Sequence, residues 1–194
     1  MDNELYLLDK RAAITLITSA AVFAAEAHAG QRRKELNEPY INHPLRVGKL
    51  YAELVDPYDA EAIASGYLHD VPEDTNIPML TIQRLFPERT ALGVNVCTKW
   101  WKAGQFSAAE ERSQKVIYYA RIIEAGFLDL KFCDRIDNLY DFTRVVRLAP
   151  SKHAWARKYF IKTQDEFVPH VPLVKERVAT EFHSALTALG LALG

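Results

Sequence analysis

Residues 12–25 read AAITLITSAAVFAA, and the reading of this stretch decides the fold. Lys10 and Arg11 precede it and small residues follow at Ala25, Ala27 and Ala29, the layout of a secretory signal. Asp2, Glu4 and Asp9 oppose that reading, because a signal needs a positively charged leader. Cleavage there would also cut beside the polar run His28-Ala29-Gly30-Gln31-Arg32-Arg33-Lys34. The stretch is too short, and too often interrupted by Thr and Ser, to span a bilayer. It reads instead as a buried central helix of a cytoplasmic protein, apolar nearly all round, with His28 continuing the stripe Ile14, Ile17, Ala21, Ala25.

Helical periodicity continues outward from this stretch. Residues 44–56 place Val47, Leu50, Tyr51, Leu54 and Val55 on one face and Arg46, Lys49, Glu53 and Asp56 on the other, with Pro44 suited to a first turn. A shorter helix over 58–69 ends at His69-Asp70, and VPEDTNIP (71–78) reads as a loop punctuated by two prolines. Helices follow over about 78–86 and 88–101. Ser107 and Glu110 have the capping-box spacing for the next helix, whose inward face would be Val116, Tyr119, Ala120 and Ile123, with Gly126 as its stop. Residues 128–147 turn Phe132, Cys133, Ile136, Leu139 and Tyr140 inward, and two last helices cover about 151–167 and 173–190. No run alternates like a strand between hairpin turns. The expectation is an all-α, single-domain bundle of about eight to ten helices.

The 194 residues suit one domain, and 24 Lys plus Arg against 25 Asp plus Glu give a net charge of −1. That balance argues against nucleic acid as a partner, though a local basic pocket remains compatible with it. Cys97 and Cys133 match no metal or redox spacing, so a reducing compartment and no membrane partner are expected.

Chemistry gathers at three polar clusters and one stripe. They are His28–Lys34; Tyr40-Ile41-Asn42-His43-Pro44; His69-Asp70 with Glu73-Asp74 beyond; and Lys131, Asp134, Arg135, Asn138 along one helix face. Each alone has a bland reading: a core histidine at His28, loop charge at Arg32-Arg33-Lys34, a capping acid pair at Glu73-Asp74, a solvated face at Lys131–Asn138. Together, His43, His69, Asp70 and Asp134 offer two imidazoles and two carboxylates from three helices, a mixed set able to hold one first-row divalent ion with positions left open. Neighbouring residues in a helix point about 100° apart, so His69 and Asp70 can share an ion only at a helix end. Glu73 and Asp74 stand where they could orient and deprotonate an attacking water.

The order His, His-Asp, Asp on a helical chain resembles the HD-domain phosphohydrolases. The strings HAGQRRK, EPYINHP, YLHDVPEDT and KFCDRIDNL resemble more closely the hydrolase domain of RelA/SpoT-type proteins, over about residues 10–160. Phe86 and Val96-Cys97-Thr98-Lys99 fit a further segment of that family. The resemblance implies an all-α fold and a Mn²⁺-dependent hydrolase that removes pyrophosphate from the 3′ position of guanosine tetra- or pentaphosphate (ppGpp, pppGpp). It makes His43, His69, Asp70 and Asp134 the ligands of one ion, with Glu73 and Asp74 activating water. Arg33 would lie against the guanine with Lys34 beside the nucleotide. Asn138 would lie near the ribose and Tyr159 in the pocket, with Lys99 and Lys131 at phosphates.

Five positions depart from the family pattern: the Leu36-Asn37 loop, Pro72, Cys133, Asp137 and Tyr140. None is one of the expected ligands. The altered loop leaves room for an adenosine alarmone or the 2′-phosphate of NADPH as substrate. A regulatory binding module is the non-enzymatic alternative, and it would be expected to have lost ligands that are all present here. The long relatives append a synthetase and regulatory domains, for which 194 residues leave no room. A functional pairing with a separate alarmone synthetase fits the same activity.

Overall fold

The computed structural model describes residues 2–101 and 105–194. Their elements are α1 (Asp2–Ala27), α2 (Asn42–Leu54), α3 (Ala60–Leu68), α4 (Val71–Asp74), α5 (Met79–Leu85), α6 (Glu88–Cys97), α7 (Ala108–Glu124), α8 (Leu128–Leu148), α9 (His153–Phe167) and α10 (Glu176–Leu193). Two 3₁₀ segments, Pro150–Lys152 and Val168–Leu173, flank α9. No strand occurs among the described residues; Arg32 and Pro39 form an isolated bridge across the loop after α1. The all-α expectation holds.

The larger core surrounds α8, whose Phe132, Ile136 and Leu139 pack with Phe167 of α9 and Phe182 and Leu189 of α10. A smaller core lies between α1, α3 and α6, built from Ala20, Ala24, Ala64, Leu68 and Val94. What brings the two halves of the site together is the crossing of α2 on α3. A Cβ on Gly66 would stand 3.0 Å from Gly48 Cα, so the two backbones touch where a side chain would hold them apart.

Four expectations change, the first at α6, where the helix expected to reach 101 ends at Cys97 because Thr98 turns extended. Helix α1 is not a buried central helix: Ile14 is 63% and Val22 58% exposed, while the stripe Ala20, Ala24, His28 faces the core. Its composition, apolar on every side, gave no direction, and α3 covers one side of it. Thr15 and Thr18 satisfy their outward hydroxyls on the carbonyls of Arg11 and Ile14. In α7 the buried residues are Tyr118, Tyr119 and Ile122, and Val116 is 71% exposed. The helix is rotated toward its tyrosines because Tyr118 donates to the Cys97 carbonyl at 2.6 Å and Tyr119 stacks on His170. The 71–78 loop contains one helical turn, α4, closed by Asp74 N–H to the Asp70 carbonyl at 2.8 Å. Pro72 fits it because a first turn needs no donor there. The capping box at Ser107 and the positive φ of Gly126 (+75°) stand where expected.

Candidate metal centre and its cavity

The first turn of α2 carries His43, the residue after α3 is His69, and α8 carries Asp134 near its middle. One ligand atom from each lies within 4.8 Å of the others. His43 Nε2 is 3.3 Å from Asp134 Oδ1 and 3.5 Å from Asp70 Oδ2, and His69 Nε2 is 3.1 Å from Asp70 Oδ1. His69 caps the end of α3, and Asp70 lies beside both imidazoles but is not one of the three residues, His43, His69 and Asp134, that close on one point.

Both imidazoles are oriented from behind. His69 Nδ1 lies 2.8 Å from the Gly66 carbonyl, which can only accept, so this nitrogen carries the proton in the neutral ring. His43 Nδ1 lies 2.6 Å from Asp137 Oδ2. Each ring therefore presents an unprotonated Nε2 to the same point when neutral, as a metal-binding histidine does. His69 Nε2 is buried and makes no hydrogen bond among the described residues, an orphaned lone pair that a cation would satisfy.

The acids press the same demand electrostatically. Burial opposes charge on His43, yet hydrogen bonds to Asp134 and Asp137, with Asp70 nearby, raise its pKa to about 9. Burial would lift Asp134, but Lys131 and the two histidines hold it well below the usual carboxylate range. Positive charge is required at this point, as protons or as a metal cation, and the donor set suits the cation.

The cluster floors a cavity of about 220 Å³ that also takes in Arg33, Glu73, Lys99, Lys131, Arg135 and Asn138. Burial and the nearby Asp70 raise the pKa of Glu73, against its hydrogen bond from the Lys99 N–H at 3.0 Å. Asp74 is different. Its carboxylate accepts the Tyr40 hydroxyl, which also reaches Asp70 Oδ2 at 2.8 Å, and Asp74 lines only a neighbouring cavity. That second cavity, about 470 Å³, runs from Arg33, Lys34 and Leu36 to Asn138, Phe142 and Trp155. Lys34 stands there, exposed and away from the ion cluster. Tyr159 lines neither space, because its ring stacks on Phe142 at 3.8 Å and lies under Arg135. Lys131 is paired with Asp134 at 2.8 Å. Asn138 donates to Asp134 and accepts from Arg33, tying that arginine to the centre.

Sequence reading missed the support beneath this arrangement. Asp137, one of the departures from the family pattern, holds His43 and receives Arg46, from the polar face of α2, at 2.6 Å. Arg46 and Arg33 both bond Asp141. The spacing Asp134, Asp137, Asp141 on one helix was the available signal, since three acids on one face need cations opposite. Tyr40 sat inside a quoted motif with no role given to it.

Residues 20–159 match the HD-domain family model. The chain belongs to the HD-domain family. HD hydrolases use a divalent metal, in keeping with the His43, His69, Asp134 cluster. This HD domain is 36% identical over 156 residues to a probable guanosine-3′,5′-bis(diphosphate) 3′-pyrophosphohydrolase of Synechocystis, covering 79% of this chain and 19% of that protein. To the guanosine-3′,5′-bis(diphosphate) 3′-pyrophosphohydrolase of Aquifex aeolicus it is 40% identical over 123 residues, 63% of this chain and 17% of that one. The chain thus spans under a fifth of the length of these relatives. The enzyme of the same name, MESH1, of Xenopus tropicalis is 43% identical over 72 residues, 37% of this chain and 40% of that one. A solved structure described as a metazoan ortholog of SpoT that hydrolyzes ppGpp superposes with a TM-score of 0.63, covering 91% of this chain and 96% of that one at 21% identity. That likeness extends the HD fold over nearly the whole chain.

Proposed function

We propose that this HD domain hydrolyses guanosine 3′,5′-bis(diphosphate), and its 5′-triphosphate homologue, to GDP or GTP and pyrophosphate. The observation that carries the reading is the convergence of two back-braced imidazoles with Asp134, Asp70 lying beside them, at a cavity rimmed by arginine and lysine. The names of the relatives point to the substrate. His43, His69, Asp70 and Asp134 would hold one divalent ion, with Mn²⁺ the choice drawn from the family resemblance. When bound, such an ion supplies Lewis acidity toward water and the phosphoryl oxygens.

In this reading Glu73 accepts a proton from the water that attacks the 3′ α-phosphorus. The bond from that phosphorus to the ribose 3′ oxygen breaks, pyrophosphate departs, and the ribose oxygen takes up a proton. The raised pKa of Glu73 makes it a stronger proton acceptor than an ordinary carboxylate. Asp74 acts through Tyr40, which holds Asp70. Arg33 and Asn138 bridge the two cavities and orient the nucleoside, whose base would lie against Leu36, Phe142 and Trp155. Both cysteines are buried free thiols, which fits a reducing cytoplasm. No helix among the described residues is long and apolar enough to cross a membrane.

The test is release of pyrophosphate from guanosine tetraphosphate by Mn²⁺-loaded protein. Adenosine analogues and NADPH run beside it, because apolar walls alone do not select guanine. Pyrophosphate and GDP are expected, and Glu73→Gln should lower turnover 100-fold or more while the ion stays bound, the usual scale for a general base. No release from any nucleotide of the panel would refute the enzyme reading.

A further inference from the structure

Beside Lys99, which the family resemblance sets at a phosphate, the metal cavity is lined by three cations that serve none of the roles above. Helix α7 sends Lys115, α8 sends Arg135, α9 sends Lys162, and the loop after α6 sends Lys99 to the same space. Glu166 is the carboxylate among them, 2.8 Å from Lys115, 3.7 Å from Arg135 and 3.9 Å from Lys162; Glu111 meets Lys115 from outside the cavity at 3.5 Å. Lys99 has no carboxylate partner among the described residues, and its ammonium lies 5.1 Å from the Trp101 ring.

Arg135 is the telling member. It is buried, fixed by Thr163 at 3.0 Å and by the faces of Tyr159 and Phe167, yet its Nε has no hydrogen-bond partner among the described residues. A buried donor left unpaired beside surplus cations costs free energy unless an anion completes it. Burial lowers the pKa of Lys162 most, and Arg135, Lys99 and Lys115 lower it further against Glu166, which raises it.

The cavity lining thus combines an acidic set fit for a cation with a basic half of four cations, three of them sharing one carboxylate, fit for an anion of more than one charge. We infer that the basic half, Lys99, Lys115, Arg135 and Lys162, is a diphosphate subsite distinct from the point of phosphoryl attack. Two groups of a nucleoside bis(diphosphate) have this chemistry: the 5′ diphosphate and the departing 3′ pyrophosphate. The inference rests on the proposed function for its substrate, but binding tests it without turnover.

The experiment is calorimetric titration of the Mn²⁺-loaded full chain with pyrophosphate, GDP and GMP. Wild type, Lys162→Gln and Glu166→Gln are compared, with circular dichroism confirming each fold. Lys162 is half exposed, so its loss leaves the core alone. Lys162→Gln should weaken a diphosphate ligand about ten-fold and Glu166→Gln should tighten it, the scale of a charge-assisted hydrogen bond. Loss of the GDP-over-GMP preference assigns the subsite to the 5′ arm; loss of pyrophosphate affinity with that preference intact assigns it to the leaving group. Diphosphate affinities unchanged in both variants would overturn the inference, while absence of hydrolysis with these shifts intact would overturn the proposed function alone.

Discussion

Asp137 occupies a position from which one carboxylate governs two charged neighbours. Its Oδ2 receives His43 Nδ1 and its Oδ1 receives Arg46 Nε, each at 2.6 Å, in a nearly fully buried place. Asp137→Ala strands both partners, and losing the group that orients a metal-binding histidine reduces metal affinity about 10–100-fold. Asp137→Asn keeps an acceptor for the imidazole and should lose less. Titrating Mn²⁺ into the two variants checks the order, and equal affinities in wild type and Asp137→Ala would contradict it. Asp59 is the other acid with several partners: it caps α3 through Ala62 N–H, receives Tyr51, and pairs with both Arg89 nitrogens. Burial works to raise its pKa, but Arg89 and the cap lower it below the ordinary carboxylate value. A depressed pKa stabilises the fold above the unfolded-state value, about 4, and the contribution disappears as pH falls through the folded value. Asp59→Asn keeps the cap and loses the charge, so it should cost about 0.5–1 kcal/mol at pH 7, a discounted figure because Arg89 is partly exposed. In urea melts that gap should close toward pH 3; a gap constant with pH would contradict the ion pair.

Among the elements, the crossing of α2 and α3 sets the distance between His43 and His69. Gly66→Ala places a Cβ 3.0 Å from Gly48 Cα, backbone that cannot yield. A loss of about 1–3 kcal/mol is expected, as for overpacking generally. Gly190 of α10 is the contrast, since a Cβ there meets Phe160 at an ordinary 3.4 Å. Gly190→Ala should stabilise by about 0.5–1 kcal/mol through helix propensity. Urea midpoints measure both, and a Gly66→Ala protein as stable as wild type would show that the helices have slack. At this scale the sequence was legible where pattern and punctuation agreed. The capping box at Ser107, the stop at Gly126 and the helix end at His69 all rest on local chemistry. Orientation was legible only where one face differed from the other. Helices α1 and α7 carry apolar residues on opposing sides, so their buried faces were chosen by α3, by the Cys97 carbonyl and by His170, none of which is local.

For the molecule as a whole, near-neutral net charge conceals a local concentration of both signs, with acids and cations lining one cavity. The four ligand candidates were legible because their residue types and order point to metal chemistry before any coordinates do. Their bracing was not, because Asp137, Arg46 and Asp141 meet only when α2 lies across α8. Tyr40 and Asn138 likewise earn their places from what they touch in three dimensions. Placed together, these residues make one centre out of three helices, and the centre needs a cation. The most direct measurement is the divalent-ion content of the protein purified without chelator and dialysed against Mn²⁺, for wild type and Asp134→Ala, with circular dichroism confirming the fold of both. One ion per chain in wild type and its loss in Asp134→Ala is the predicted result; a folded Asp134→Ala protein that keeps the ion at wild-type affinity would contradict the metal centre.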